Sequence, residues 1–201
     1  MNKILPAFLC LGLAACGGSD SDSADITPPK EVPDLQADVC YLMATNMGEI
    51  TLAIDLTNMP ITGKNFKDYV DDGFYDGTLF HRVAHNFVIQ GGGFTTGMVA
   101  KPGNDPIVIE ADVGISNERG TIAMARTSNP NSATSQFFIN VLDNPQLDAS
   151  SSSYGYAVFG KVVEGIEIVD QINILDTVDS SEVPVNEVVI NSVTEASCPA
   201  S

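Results

Sequence analysis

From Asp38 onward, apolar residues come in short runs separated by turn residues, a pattern that fits strands more often than helices. Tyr41-Leu42-Met43-Ala44-Thr45 and Glu49-Ile50-Thr51-Leu52-Ala53-Ile54-Asp55 flank Asn46-Met47-Gly48, which predicts a hairpin with a Gly-containing turn. Phe66, Tyr69 and Val70 then recur at helical spacing between Thr62, read as an N-cap, and Gly73, read as a C-terminal stop. A helix of about ten residues is expected there. Segments 79–90, 120–126 and 136–142 read as further strands with Gly or Pro clusters between them. Ile168, Val169, Ile172 and Leu175 form a second helical stripe, and 185–193, rich in Val and Ile, reads as a closing strand. Many short strands with two helices predict a closed or sandwich-like β architecture rather than alternating βαβ units. No self-similarity at a period of about 20–50 residues suggests a repeat protein.

Ahead of this region the pattern changes. Lys3 precedes an almost uninterrupted apolar run over 4–13, the length of a signal h-region and too short to span a bilayer. The run ends in Leu13-Ala14-Ala15-Cys16, which resembles the lipobox of bacterial lipoproteins. The expectation is that 1–15 is a removed lipoprotein signal peptide and that Cys16 carries acyl chains. Each buried methylene contributes about 0.8 kcal/mol, so two or more chains anchor stably. Gly17 and Gly18 follow where an inner-membrane retention signal would carry Asp, which points to the outer membrane, facing the periplasm. Residues 16–37 then read as the lipidated Cys and a disordered acidic linker, dominated by Gly, Ser, Asp and Pro. Residues 38–201 read as the folded domain.

Composition narrows the class. A chain of 201 residues with 44% hydrophobic content is long enough for one ordinary core. Nine Lys plus Arg against 26 Asp plus Glu give a net charge of −17, which repels a phosphate backbone and excludes nucleic-acid binding. The same charge repels anionic lipid, so membrane attachment has to come from the anchor and not from a basic patch. Of the four Cys, Cys10 leaves with the signal and Cys16 takes lipid, leaving Cys40 and Cys198 at the two ends of the folded part. An oxidising compartment permits a disulfide between them, with two free thiols as the alternative until the fold says whether the ends meet.

Hydrolytic chemistry finds little to work with. The two histidines, His81 and His85, lie in HRVAH, which has the spacing of a zinc-protease motif but carries Arg where its general-base Glu belongs. No GxSxG, phosphate-binding loop or CxxC accompanies them. Gly91-Gly92-Gly93 lacks a following helix with Lys and Ser or Thr, so a tight turn or bulge is the better reading than a phosphate cradle. What remains is a concentration of apolar side chains around one Arg and two Gln, in 80–92, 120–126 and 135–140.

These segments resemble the signature of the cyclophilin-type peptidyl-prolyl cis-trans isomerases. GFYDGTLFHRV, FVIQGG, GTIAMAR, SATSQFFINV and YAVFGKVVEG occur in that family's order and spacing, and the resemblance covers roughly 40–193. It implies an eight-stranded antiparallel β-barrel capped by two helices. In that fold the first and last strands are neighbours, which favours a Cys40–Cys198 bridge.

The resemblance also implies roles. Arg82 matches the position that hydrogen-bonds the prolyl nitrogen, with Gln90 and Phe87 completing the catalytic group. Val88, Phe138 and Leu147 match the wall that receives the proline ring with Phe87, Val88 standing where Met is common. Gln136 matches a residue that holds the substrate backbone, Ala125 and Arg126 line the adjoining groove, and Tyr156 stands where some members carry His. His81 is read as structural. Gln146 replaces an aromatic residue at the rim, which predicts weak binding of the family inhibitor cyclosporin with activity retained. No cofactor or metal is implied.

The reading is therefore a monomeric, membrane-tethered enzyme acting on proline-containing segments of exported proteins to assist their folding. The alternative is a module that binds or chaperones Pro-containing segments, with turnover incidental. An inert structural barrel would have had no need to keep Arg82.

Overall fold

The computed structural model describes residues 31–178 and 181–199. The signal segment, Cys10, Cys16 and most of the linker lie outside the described residues. In chain order the elements are β1 (Val39–Thr45), β2 (Gly48–Ile54), α1 (Pro60–Asp71), β3 (Thr78–Ala84), β4 (Val88–Thr95), β5 (Val99–Ala100), β6 (Thr121–Met124), β7 (Phe137–Asn140), β8 (Val158–Glu164), α2 (Ile166–Asn173) and β9 (Val188–Ala196). Neighbours run β3-β9-β1-β2-β8-β6-β7-β4, and β4 pairs with β3 again, so eight antiparallel strands close a barrel. The two-residue β5 is an addition that pairs with β4 outside this ring. No helix among the described residues is long and apolar enough to cross a membrane.

Side-chain alternation fills the barrel. Tyr41, Met43, Ile50, Leu52, Phe66, Tyr75, Phe80, Phe137 and Phe159 are fully buried and belong to one interior cluster. Phe66 on α1 stacks on Tyr75 at 5.1 Å and meets Phe137 and Phe159 at 5.8 and 5.3 Å, so this helix plugs one end of the barrel with an aromatic side chain. Val169 and Ile172 of α2 join the same cluster from the other capping helix.

The hairpin at Asn46-Met47 and both helices follow the sequence pattern, with four differences. The helix α1 starts two residues earlier than Thr62, at Pro60, whose missing N–H is no loss in a first turn. Thr62 is not its cap. Instead the Glu110 carboxylate, from a distant segment, accepts from the Ile61 and Thr62 N–H groups at 3.1 and 2.7 Å and from the Thr62 hydroxyl at 2.6 Å. At the other end Gly73 does terminate the helix: at φ 61° it lets Gly73 N–H reach Val70 C=O and Phe74 N–H reach Tyr69 C=O, both at 2.9 Å.

The run 79–90 is two strands, because Asn86 adopts φ 54° and Phe87 N–H bonds back to Ala84 C=O at 3.1 Å, turning the chain between β3 and β4. Leu175 lies past the end of α2 yet still packs on the interior cluster. The end of the presumed linker is docked on the barrel: Asp55 accepts from Gln36 N–H at 2.9 Å, Asn58 donates to Asp34 C=O at 3.1 Å, and Leu35 packs against an apolar cluster on the barrel's outside. Leu35 covers apolar surface there, and Val32, half-exposed, lies at the edge of the same groove.

The ends of the domain meet as β1 pairs with β9, Cys40 opposite Ala196. A disulfide joins Cys40 to Cys198 across a Cα–Cα distance of 5.1 Å.

Candidate active site

One rank of residues runs across the barrel wall. Arg82 on β3 lies opposite Gln90 on β4, Gln90 opposite Phe138 on β7, Phe138 opposite Ala123 on β6, and Ala123 opposite Val158 on β8. The next rank, Val83, Ile89, Ile139 and Ile122, belongs to the interior cluster, so by strand alternation the first faces outward. Ala84, Val88, Ala123, Phe138 and Val158 form a separate apolar cluster on that outer face.

A bulge is what puts Arg82 there. Phe80 and Val83 both belong to the interior cluster although they stand three positions apart, which regular alternation would put on opposite faces, and the β3–β4 register slips between Phe80 and Arg82. The extra residue, His81, absorbs the slip, and Arg82 is re-aimed outward beside Gln90. The glycine run 91–93 on the partner strand lies at these same irregularities, as a strand and not as a phosphate cradle. His81 itself is buried beside the Phe94 ring at 4.6 Å, and its Nδ1 has no hydrogen-bond partner among the described residues. Burial, helped by the neighbouring Arg82 charge, holds its pKa down to about 4, against a weaker upward pull from the Leu79 backbone.

The guanidinium of Arg82 is held from two sides. Its Nε donates to Glu182 Oε2 at 2.6 Å, and its Nη1 donates to Gln90 Oε1 at 3.3 Å. Gln90 Nε2 donates in turn to Gln136 Oε1 at 3.0 Å, which links loop, β3, β4 and the approach to β7 in one polar chain. Gly93 makes room for the last member: a Cβ there would come within 2.4 Å of Gln136 Cγ.

Beside Arg82 opens a cavity of about 230 Å³. That is below the roughly 300–1,000 Å³ of drug-sized ligand sites and suits one side chain with its amide. Phe87, Val88, Phe138 and Leu147 supply apolar wall, Gln90 and Arg82 polar groups, and Ala125, Arg126 and Tyr156 complete the lining. Phe138 meets Tyr156 edge-on at 5.5 Å, and the Arg126 guanidinium lies over the Tyr156 ring at 4.6 Å while donating to Gly155 C=O at 2.9 and 2.7 Å. Leu147 is set by its loop, where Asp148 accepts from the Ser116 hydroxyl and from the Asn117 backbone and side-chain amides at 2.6–2.9 Å.

Nine of the ten side chains singled out from the sequence thus line one cavity. The tenth, Gln136, lines a neighbouring cavity of about 210 Å³ that shares Gln90, Ala125 and Arg126 with the first. That second cavity is also lined by Thr127, next to the motif GTIAMAR, and by Ser132 and Thr134, inside SATSQFFINV, none of which was singled out as a site residue. Gln146 is exposed, donates to Asn144 Oδ1 at 3.0 Å and does not line the first cavity. Glu182 was also missed. It lies a hundred residues beyond Arg82 in a segment with no motif, and nothing in the sequence marks it.

Comparison with known proteins shows the family and the fold. The family model described as "Cyclophilin type peptidyl-prolyl cis-trans isomerase/CLD" matches residues 40–195. The chain is 52% identical over 154 residues to peptidyl-prolyl cis-trans isomerase A of Dickeya dadantii, covering 75% of this chain and 81% of that one. It is 49% identical over 156 residues to peptidyl-prolyl cis-trans isomerase B of Escherichia coli, covering 75% and 95%. The fold superposes on a crystal structure of a Cryptosporidium parvum cyclophilin type peptidyl-prolyl cis-trans isomerase with a TM-score of 0.69 at 29% identity, covering 80% of this chain and 99% of that one. A second structure of that protein, in the presence of the dipeptide Ala-Pro, gives 0.68 at 28% identity, covering 79% and 99%.

Proposed function

The chain belongs to the family of cyclophilin-type peptidyl-prolyl cis-trans isomerases and catalyses rotation about Xaa-Pro bonds; we propose that Arg82 supplies the chemistry and that the cavity beside it takes the proline ring. The barrier to rotation, about 18–20 kcal/mol, comes from carbonyl–nitrogen resonance. Twisting the amide returns the lone pair to the prolyl nitrogen, which then accepts a hydrogen bond that neither planar form can accept as well. A donor fixed at that nitrogen lowers the barrier without stabilising either ground state. Neither a nucleophile nor an acid–base pair is needed.

One observation carries the assignment: a guanidinium held at two of its nitrogens at the edge of an apolar cavity sized for one residue. Phe87, Val88, Phe138 and Leu147 bind the ring by apolar contact, Gln90 and Gln136 hold the substrate carbonyl and backbone, and Arg126 with Ala125 grips the chain next to the proline. The donor is pre-aimed, so little reorganisation is left for the reaction itself.

The tethered location is part of the proposal. Lys3, the apolar run over 4–13 and the Ala14-Ala15-Cys16 ending support export and lipid attachment at Cys16, with the outer membrane as the address. There the enzyme would act on exported chains, whose Xaa-Pro steps take tens of seconds unaided. Replacing Cys16 with Ser would release the protein from the membrane fraction; retention of that variant would reject the anchor.

The central test is cis-to-trans conversion of a short Xaa-Pro peptide. Arg82→Ala is expected to lower kcat/KM by about 10²–10³-fold, the cost of removing one transition-state donor. A folded variant that turns over normally would take Arg82 out of the chemistry and favour the Pro-segment binding module.

A further inference from the structure

Resting on the assignment of Arg82 as the donor to the prolyl nitrogen, we infer that Glu182 is a positioning residue for it, acting from a loop outside the cavity. Glu182 Oε2 takes Nε, the inner vertex of the guanidinium, at 2.6 Å, and Gln90 takes Nη1. Nη2 has no hydrogen-bond partner among the described residues and is the vertex left to face a substrate. A guanidinium pinned at Nε can no longer turn about its last bond, so its donor edge keeps one orientation before substrate arrives.

Two further features tie this carboxylate to Arg82 and not to stability. Glu182 sits at φ 58°, a left-handed conformation that side chains other than Asn, Asp and Gly adopt rarely. Backbone strain of this kind persists where the surroundings over-determine it, and it gathers at functional sites. The surroundings here are sewn to β3 at the very next residue: Val83 N–H donates to Glu182 C=O at 2.7 Å, while Val178 N–H donates to Val183 C=O at 2.8 Å and Thr177 bridges Pro184. The pair is also half exposed, its side chains 35% and 43% accessible. Ion pairs this open contribute little to folding. A strained backbone holding an ion pair of little worth to stability is the mark of a residue kept for what it does to its partner.

The test is the steady-state kinetics of Glu182→Gly and Glu182→Gln in the full chain. Gly removes the carboxylate and relieves the backbone, so kcat should fall about tenfold with KM within about twofold and Tm unchanged or higher. Gln keeps an acceptor for Nε and should hold kcat within about threefold of the parent. In an Arg82→Ala background, Glu182→Gly should cost nothing more. An unchanged or raised kcat for Glu182→Gly would overturn the inference, as would a loss that tracks a fall in Tm or persists without Arg82. If Arg82→Ala itself is fast, the assignment of Arg82 fails; if it is slow while Glu182→Gly is fast, only the role of Glu182 fails.

Discussion

Acidification to pH 5 should weaken this protein through His81. The imidazole is 8% exposed, has an unpartnered Nδ1 and packs on Phe94, and burial holds its pKa down to about 4. Glu187, which lines the same small cavity, already accepts from Gly97 N–H at 2.7 Å. An unfolded His titrates near 6.5. Between these two values the unfolded chain binds a proton that the folded one refuses, so stability is full above about pH 6.5 and falls as pH drops toward 4. From a folded value of about 4, linkage gives a loss of about 2 kcal/mol at pH 5 and about 3 kcal/mol at pH 4. Urea unfolding at pH 7 and pH 5, compared between the parent and His81→Phe, isolates this contribution, because the variant has no imidazole there to protonate. The parent should lose about 2 kcal/mol more than the variant over that interval. NMR titration gives an independent reading, since only His81 and His85 contribute imidazole signals. Equal losses in the two proteins, or a His81 resonance that titrates near its ordinary value, would refute the argument.

Other outcomes follow from single contacts. Replacing Cys40 and Cys198 by Ser opens a loop of 158 residues, for which chain entropy gives a loss of about 5 kcal/mol; an unchanged urea midpoint would show that the β1–β9 pairing alone suffices. Glu110→Ala strips α1 of its acceptor and should cost about 2–3 kcal/mol, read by denaturant melts. Gly93→Ala drives a methyl into Gln136 and should lower kcat/KM several-fold with the fold intact, as judged by circular dichroism. Cyclosporin should inhibit weakly, as the resemblance implies for a chain with Gln146 in place of an aromatic residue; nanomolar inhibition of the parent would contradict the reading of Gln146.

Much of the site was legible because it is written in contiguous strand motifs: Phe87, Val88 and Gln90 share one strand region, and Phe138 is placed opposite Gln90 by simple register. Alternation alone, however, would misplace Arg82. Counting by twos from the interior Phe80 turns it inward, and only the bulge at His81 reverses that parity. A bulge is a negotiation between two strands distant in local pattern, so neither strand announces it. Glu182 and Glu110 escaped for a similar reason, as each works on a residue far away in sequence through a bond that exists only once the chain has closed. The docked stretch 32–37 was hidden because Val32 and Leu35 stand among Pro, Asp and Gln with neither helical nor strand periodicity, and what they meet lies far away in sequence.

The position of β9 bears on when this protein can exist at all. The last strand of the chain lies between β1 and β3, the first and third. Until 188–196 has been made, both of those strands keep an open edge, and the ring that holds Arg82 beside its cavity has a gap in its wall. No growing chain can rehearse the finished barrel from its N-terminal half. Closure of the barrel has to wait for 188–196, and a product truncated before that strand would be a sticky open sheet with no shortened enzyme to show for it.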